Sequence, residues 1–264
     1  MGPADSWYRL LTYSTSGFGP NALPVPELKD ARVPEKNNFR LSEDVFWGFG
    51  DQTQSTSFSI TYACVPGRVA FSAWGVLIEN YQTSIQVRDQ RASLKENAKG
   101  LLLVGDLYFS AQFKLLEEMG RLPDLSVEMV IKTPASGSPQ EARYMDTPGY
   151  WFDLKAGKTL FSSPQTHSAW RLNSHIGFLC YQTNLINQND AVMYGLKVGY
   201  AHKKFGLDFG LNGYSGWMNI GDKPQVLRGK VNYDTSIGSF FAQYQYALRD
   251  YPYHRLESGF SIDF

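Results

Sequence analysis

The chain is 264 residues long, with 25 Lys and Arg against 25 Asp and Glu, so no net charge draws it to nucleic acid. No apolar run approaches the roughly 20 residues of a membrane-spanning helix, which leaves open a β-barrel, whose strands need only about ten residues of alternation. Aromatic residues make up 15%, with 16 Tyr and 17 Phe, and there are 24 Gly, a balance that suits strands, interfacial girdles and tight turns better than helices.

Residues 1–36 hold five prolines, Pro3, Pro20, Pro24, Pro26 and Pro34, without sustained alternation. They read as an irregular lead-in, either periplasmic or an inward plug, with a short extra strand over 7–13. Gly2-Pro3-Ala4-Asp5 follows Met1 with no apolar core, so an exported protein is expected to be present here in its mature form, without a signal peptide. The barrel proper is expected over 37–264.

Strands are predicted over 39–48, 57–65 and 68–78, with a tight turn at Pro66-Gly67. Residues 80–100 carry six charged side chains and read as a long loop, with a strand extension over Ser84-Ile85-Gln86-Val87. The next strand, 101–115, sends Leu103, Gly105, Leu107, Phe109, Ala111, Phe113 and Leu115 one way. It sends Asp106, Tyr108, Ser110, Gln112 and Lys114 the other way. Strands follow over 124–133 (Glu128 and Lys132 on the polar row), 149–155 and 169–182 (Arg171, Asn173 and His175 on the polar row). The last five span 191–202, 205–217, 225–235, 239–249 and 254–264.

In these five, apolar and polar rows alternate with Lys197, Asp208, Arg228, Lys230, Asp234 and Arg249 on the polar side. The count is about twelve. The class is all-β: an antiparallel, up-and-down transmembrane β-barrel in the cell outer membrane, with a polar lumen. Predicted strand lengths above the usual five or six residues, aromatics near strand ends and glycines within strands favour a membrane barrel over a soluble sandwich. Folding and monodispersity without detergent would favour the sandwich. The chain stops on Phe264, on one row with Phe260 and Ile262, and such an aromatic ending resembles the assembly signal of outer-membrane barrels.

Few residues offer chemistry. Thr166-His167-Ser168 with Asn173 has the residue types of an outer-membrane phospholipase, but neighbours on a strand point to opposite faces, so a turn leading into a strand is the stronger account. Asp106 and His175 form a candidate inward pair, more simply read as polar lining of a water-filled lumen. The loop containing Glu141, Arg143 and Asp146 either folds inward as a constriction or stays on the surface. His167, His175, His202 and His254 lack ligand spacing, and no metal or cofactor is expected. Cys64 and Cys180 read as apolar strand residues.

Gly105-Asp106 leads a strand, and residues 125–137, LSVEMVIKTPASG, end on Lys-Thr-Pro-x-x-Gly. This pattern resembles the outer-membrane family associated with phenol meta-degradation operons. Residues 67–82 through 142–154 are similar to uncharacterised outer-membrane barrels of Bacteroidetes-type bacteria. The resemblance implies uptake of a small or amphipathic solute, or a structural place in the envelope. Its implied partners are outer-membrane lipid, the barrel assembly machinery and other envelope proteins. It transfers no catalytic residue.

Overall fold

The computed structural model describes residues 10–136, 139–145, 147–182 and 188–264. Its strands are β1 (Asn38–Gly48), β2 (Asp51–Val65), β3 (Val69–Thr83), β4 (Lys99–Leu103), β5 (Leu107–Leu116), β6 (Asp124–Thr133) and β7 (Gly149–Ser163). They continue as β8 (Ser168–Gln182), β9 (Gln188–His202), β10 (Phe205–Gly216), β11 (Gln225–Asp234), β12 (Ser239–Arg249) and β13 (His254–Asp263). One short helix, α1 (Ile85–Gln90), precedes β4, with Ser84 Oγ accepting from Val87 N at 3.2 Å as its cap.

Twelve strands close an antiparallel ring, because β1 pairs with both β2 and β13, and β2 with β3. β4 lies outside the ring's count and pairs with the upper part of β3. Closure leaves no open edge around the ring, the condition for strands to cross a bilayer. Phe264 N donates to Asn37 O at 3.0 Å beyond the last ladder pair, Asn38 with Asp263.

The outward rows are apolar and exposed: Met129 is 58% exposed, Ile176 61% and Phe209 61%. The inward rows bury polar and charged groups such as Asp44, Glu128, Lys132, Lys155 and Glu257. This inversion of a soluble core belongs to a barrel whose outer solvent is lipid. At the end where the chain enters and leaves the barrel, connections are short, from residues 203–204 to residues 117–123. The opposite end carries residues 84–98, the described residues between β6 and β7, and residues 217–224; the two are the turn end and the loop end.

Several predicted boundaries need correction. The expected loop over 49–56 is only Phe49-Gly50, since β2 starts at Asp51; six polar residues, Asp51 to Thr56, hid the alternation. β3 continues to Thr83 after a register shift opposite Thr56/Ser57. Ser84 to Val87 is a helix start, not a strand. The expected turn over 156–168 shrinks to residues 164–167 because β7 runs to Ser163. Leu10 to Tyr13 make no strand, and residues 7–9 of that expected element lie outside the described residues.

The strand expected over 101–115 is broken in two. Val104 adopts φ +62°, and Val104 N and Gly105 N donate to Leu77 O and Val76 O, each at 2.8 Å. Asp106, just past the break, is buried on the same row as Tyr108, Ser110 and Gln112. A Cβ on Gly105 would come within 2.5 Å of Tyr144 Oη, so glycine leaves the room that the Tyr144 ring takes.

Candidate functional site

The lumen is occupied by the chain's own beginning. From Thr15, whose hydroxyl donates to Asp250 O at the loop end, the segment descends to Pro34, whose carbonyl accepts from Gly67 N at the turn end. Irregular backbone inside a barrel must satisfy its polar groups without a ladder. Pro20, Pro24, Pro26 and Pro34 have no N–H to satisfy. The carbonyls are met by the wall: Tyr253 donates to Phe18 O (2.7 Å), Tyr251 to Pro20 O (3.0 Å) and Tyr181 to Pro24 O (2.9 Å). Arg228 donates to Val25 O (2.6 Å) and Pro26 O (3.2 Å). Phe18, Ala22, Leu23, Val25, Leu28, Ala31 and Val33 are buried along the way.

At the loop end, residues 142–145 fold inward and Arg143 is fully surrounded. Its guanidinium donates to Glu79 (2.8 Å), Asp51 (2.6 Å) and Thr53 (2.6 Å), and lies over the Tyr81 ring at 4.4 Å. Arg91 joins the same Asp51 at 2.6 Å and donates to Tyr253. Glu79 also accepts from Tyr144 (2.8 Å) and from Asn21 (2.7 Å) of the N-terminal segment. Glu141 accepts from Tyr81 and pairs with Lys95 at 2.8 Å. Asp146 lies outside the described residues.

Below this latch, Trp74 stacks on Tyr108 at 5.4 Å, and Trp151 tilts against both. Next comes a charged layer. Glu128 holds Lys29 of the N-terminal segment (2.6 Å) and Lys155 of β7. Across the β1–β13 seam, Arg255 bridges Asp44 (2.6 Å) and Glu257 (2.9 Å), and Arg40 donates to Glu257. At the turn end Arg171 gathers Asp30 (2.9 Å), Glu118 (2.9 Å) and Asp124 (2.7 Å).

A cavity of about 480 Å³ remains beside the segment. Its β1–β3 wall is lined by Ser42, Ser57, Ser59, Thr61 and Ser72. These small hydroxyls leave the space that tyrosines and arginines fill elsewhere.

Of the side chains assigned to the lumen from sequence, Asp106, Glu128, Lys132, Arg171, His175 and Arg228 are buried, and Lys114, Lys197, Asp208 and Lys230 are half-buried. Asp234 and Arg249 are exposed at the rims, where the inward row runs past the end of the lumen. Asp106 and His175 do not pair: Asp106 meets Lys132 at 2.6 Å, and His175 meets Asp153 at 2.7 Å. The phospholipase-like set is not assembled either. His167 sits in a turn with φ +49°, Ser168 Oγ meets Thr166 Oγ1 at 2.6 Å, and Asn173 bonds Ala31 N and Asp30. Both cysteines are free, Cys64 exposed and Cys180 buried. Among the described residues no three His, Cys, Asp or Glu side chains group to hold a metal ion. Phe264, Ile262 and Phe260 end the outward row at the turn end, Phe264 67% exposed. Sequence reading missed Arg40, Asp44, Arg255, Glu257, Asp51, Glu79 and Arg91 as lumen residues. The Arg40-x-x-x-Asp44 and Arg255-x-Glu257 parities within two predicted strands were the available signal.

Glu118, in the connection between β5 and β6, gives a pH handle. Burial works to raise its carboxyl, but hydrogen bonds from Thr159 and Lys158 outweigh burial and hold it at about 2, against an ordinary 4.5. The unfolded chain therefore takes up this proton first, so the contribution is full above about pH 4.5 and is lost as pH falls toward about 2. The stability gap between the natural chain and Glu118→Gln is expected to narrow across that window. Thermal unfolding in detergent measures it, and a gap that does not change with pH counts against the assignment.

No protein-family model matches the chain, and no curated protein does. Solved structures do. The COG4313 outer membrane channel from Pseudomonas putida F1 superposes with a TM-score of 0.58 at 14% identity, over 90% of this chain and 100% of that one. The NanC porin gives 0.55 at 8%, over 86% and 100%. The KdgM porin in complex with disordered oligogalacturonate gives 0.53 at 8%, over 86% and 99%. At these identities the likeness concerns fold, and the fold is that of outer-membrane channel and porin β-barrels.

Proposed function

We propose that this protein is a narrow outer-membrane channel for small or amphipathic solutes, occluded at rest by its N-terminal segment. Lipid covers the apolar belt, the turn end faces the periplasm and the loop end faces outward. The observation that carries this reading is the cavity between the segment and the Ser/Thr wall of β1–β3, space that a fully packed barrel would lack. The role agrees with what the resemblance at Gly105-Asp106 and residues 125–137 implies.

Planar-bilayer recording and liposome swelling test it. The purified protein is expected to give small, resolvable conductance steps, and Ser59→Trp, which puts a bulky ring into that wall, to reduce them further. The rival reading is a non-conducting structural subunit of an envelope complex, favoured by the tight latch around Arg143. It wins if no flux appears even after deletion of residues 139–147.

A further inference from the structure

Charge pairing in the lumen does not balance evenly. Three of the six cations lining the cavity are ion-paired: Lys29 with Glu128, Arg40 with Glu257, and Arg255 with Asp44 and Glu257. Among the described residues, Lys197, Arg228 and Lys230 form no ion pair, although all three line the same cavity. Arg228 donates only to neutral acceptors, the carbonyls of Val25 and Pro26 and Gln245 Oε1 at 2.9 Å. Lys230 lies over the Phe241 ring at 4.9 Å. Asp208 faces Lys230 across β10–β11 without reaching it as an ion pair.

Two carboxylates of the N-terminal segment line the cavity: Asp30, which Arg171 holds, and Glu27, which forms no ion pair among the described residues. Glu27 follows Pro26, whose carbonyl is tied to Arg228, and its side chain opens onto the cavity instead of closing on a single partner. The cavity it lines is shared by Arg40, Lys197, Arg228 and Lys230. Several cations around one loosely held carboxylate form a site for an anion that can leave. Direct, buried pairing of the kind seen at Arg143 would lock it.

We propose that Lys197, Arg228 and Lys230 form a binding subsite for small organic carboxylates, and that Glu27, which lines the same cavity, competes for it as a tethered carboxylate. The proposal deepens the channel reading and rests on it for the solute's route. A tethered group acts at an effective concentration in the millimolar range, so a free carboxylate of similar intrinsic affinity displaces Glu27 only from about that concentration. Occupancy by a solute would release the central hold on the segment, coupling solute arrival to movement of the plug.

Isothermal titration calorimetry in detergent, with succinate as probe, tests the site. Glu27→Gln keeps the shape and removes the competing charge, and is expected to bind succinate at least about tenfold tighter than the natural chain. Adding Lys230→Gln to Glu27→Gln is expected to weaken binding about tenfold again, the scale of one hydrogen bond to a charged group. The neutral analogue succinamide is expected to show no comparable binding. Heat-modifiable migration verifies that each variant is folded, and Glu27→Ala repeats the test where Gln disturbs the segment.

Unchanged succinate affinity in both folded Glu27 variants overturns the proposal. So does succinamide binding equal to succinate, and inorganic phosphate binding as tightly as succinate overturns the assignment to carboxylates. Reversal potentials in bilayers add a second readout, with Glu27→Gln shifted toward anions. Absence of current in every variant would sink the channel reading alone, and calorimetry would still decide the subsite.

Discussion

Removing residues 1–33 is expected to raise the single-channel conductance by at least about tenfold, because a ring of twelve strands without its filling lies between eight-stranded barrels packed with side chains and wide porins. The ring itself does not depend on the segment. Its ladder runs strand to strand, and the seam keeps Arg40, Asp44, Arg255 and Glu257 paired without help from residues 10–33. Losses are local. Lys29 leaves Glu128, but Lys155 stays; Asp30 leaves Arg171, but Asp124 and Glu118 stay. Tyr181, Tyr251 and Tyr253 lose carbonyl acceptors and turn to water, which now fills the lumen. The barrel is therefore expected to fold, at lower thermal stability, since buried side chains such as Phe18, Leu23 and Leu28 each contributed about 1.5–3 kcal/mol. A synthetic peptide of residues 10–33 added in trans is expected to restore the block. Conductance equal to that of the full chain, in a truncated barrel shown to be folded, would defeat the plug reading.

The ring is legible in the sequence because its outer solvent imposes a strict period of two. Wherever a strand crosses lipid with apolar residues on alternate positions, as from Leu125 to Ile131 or Val192 to Val198, parity alone assigned the faces. Where both rows are polar the signal vanishes, and β2 lost Asp51 to Thr56 for that reason. The register shift near Ile78 inverted the phase midway along β3, which made its upper half read as loop.

Pairing inside the lumen was harder, because it depends on which strands neighbour one another and on the depth of each residue. Asp106 and His175 have β6 and β7 between them, so each takes a nearer partner, Lys132 and Asp153. The latch joins Arg143 to Asp51 across 92 positions of sequence. Nothing local in Ala142-Arg143-Tyr144 announces that contact. The N-terminal segment was open to either reading for the same reason: its prolines erase periodicity, and its carbonyl partners come from Arg228 and three tyrosines on distant strands and their connections.

Arg143→Ala is expected to cost about 3–5 kcal/mol, the scale for removing one member of a buried ion pair and leaving the other charge unmatched. The size follows from who remains. Asp51 keeps Arg91, but Glu79 loses its only ion-pair partner among the described residues and is left with Tyr144 and Asn21. The segment loosens too, for Gly19 lies so close that a Cβ there would come within 2.7 Å of the Arg143 guanidinium carbon, and Gly19 N donates to Ala142 O at 3.1 Å. Arg143→Lys keeps a charge but cannot reach Glu79, Asp51 and Thr53 at once, since an ammonium lacks the planar fork, so it is expected to recover only part of the loss. Removing the stranded acid as well tests the cause: Arg143→Ala with Glu79→Gln is expected to lose less than the sum of the two single losses, by a coupling of about 0.5–3 kcal/mol. Urea unfolding from lipid vesicles reads the natural chain, Arg143→Ala, Arg143→Lys, Glu79→Gln and the double variant. Additive losses in the double variant would mean that the latch acts by packing and not by charge.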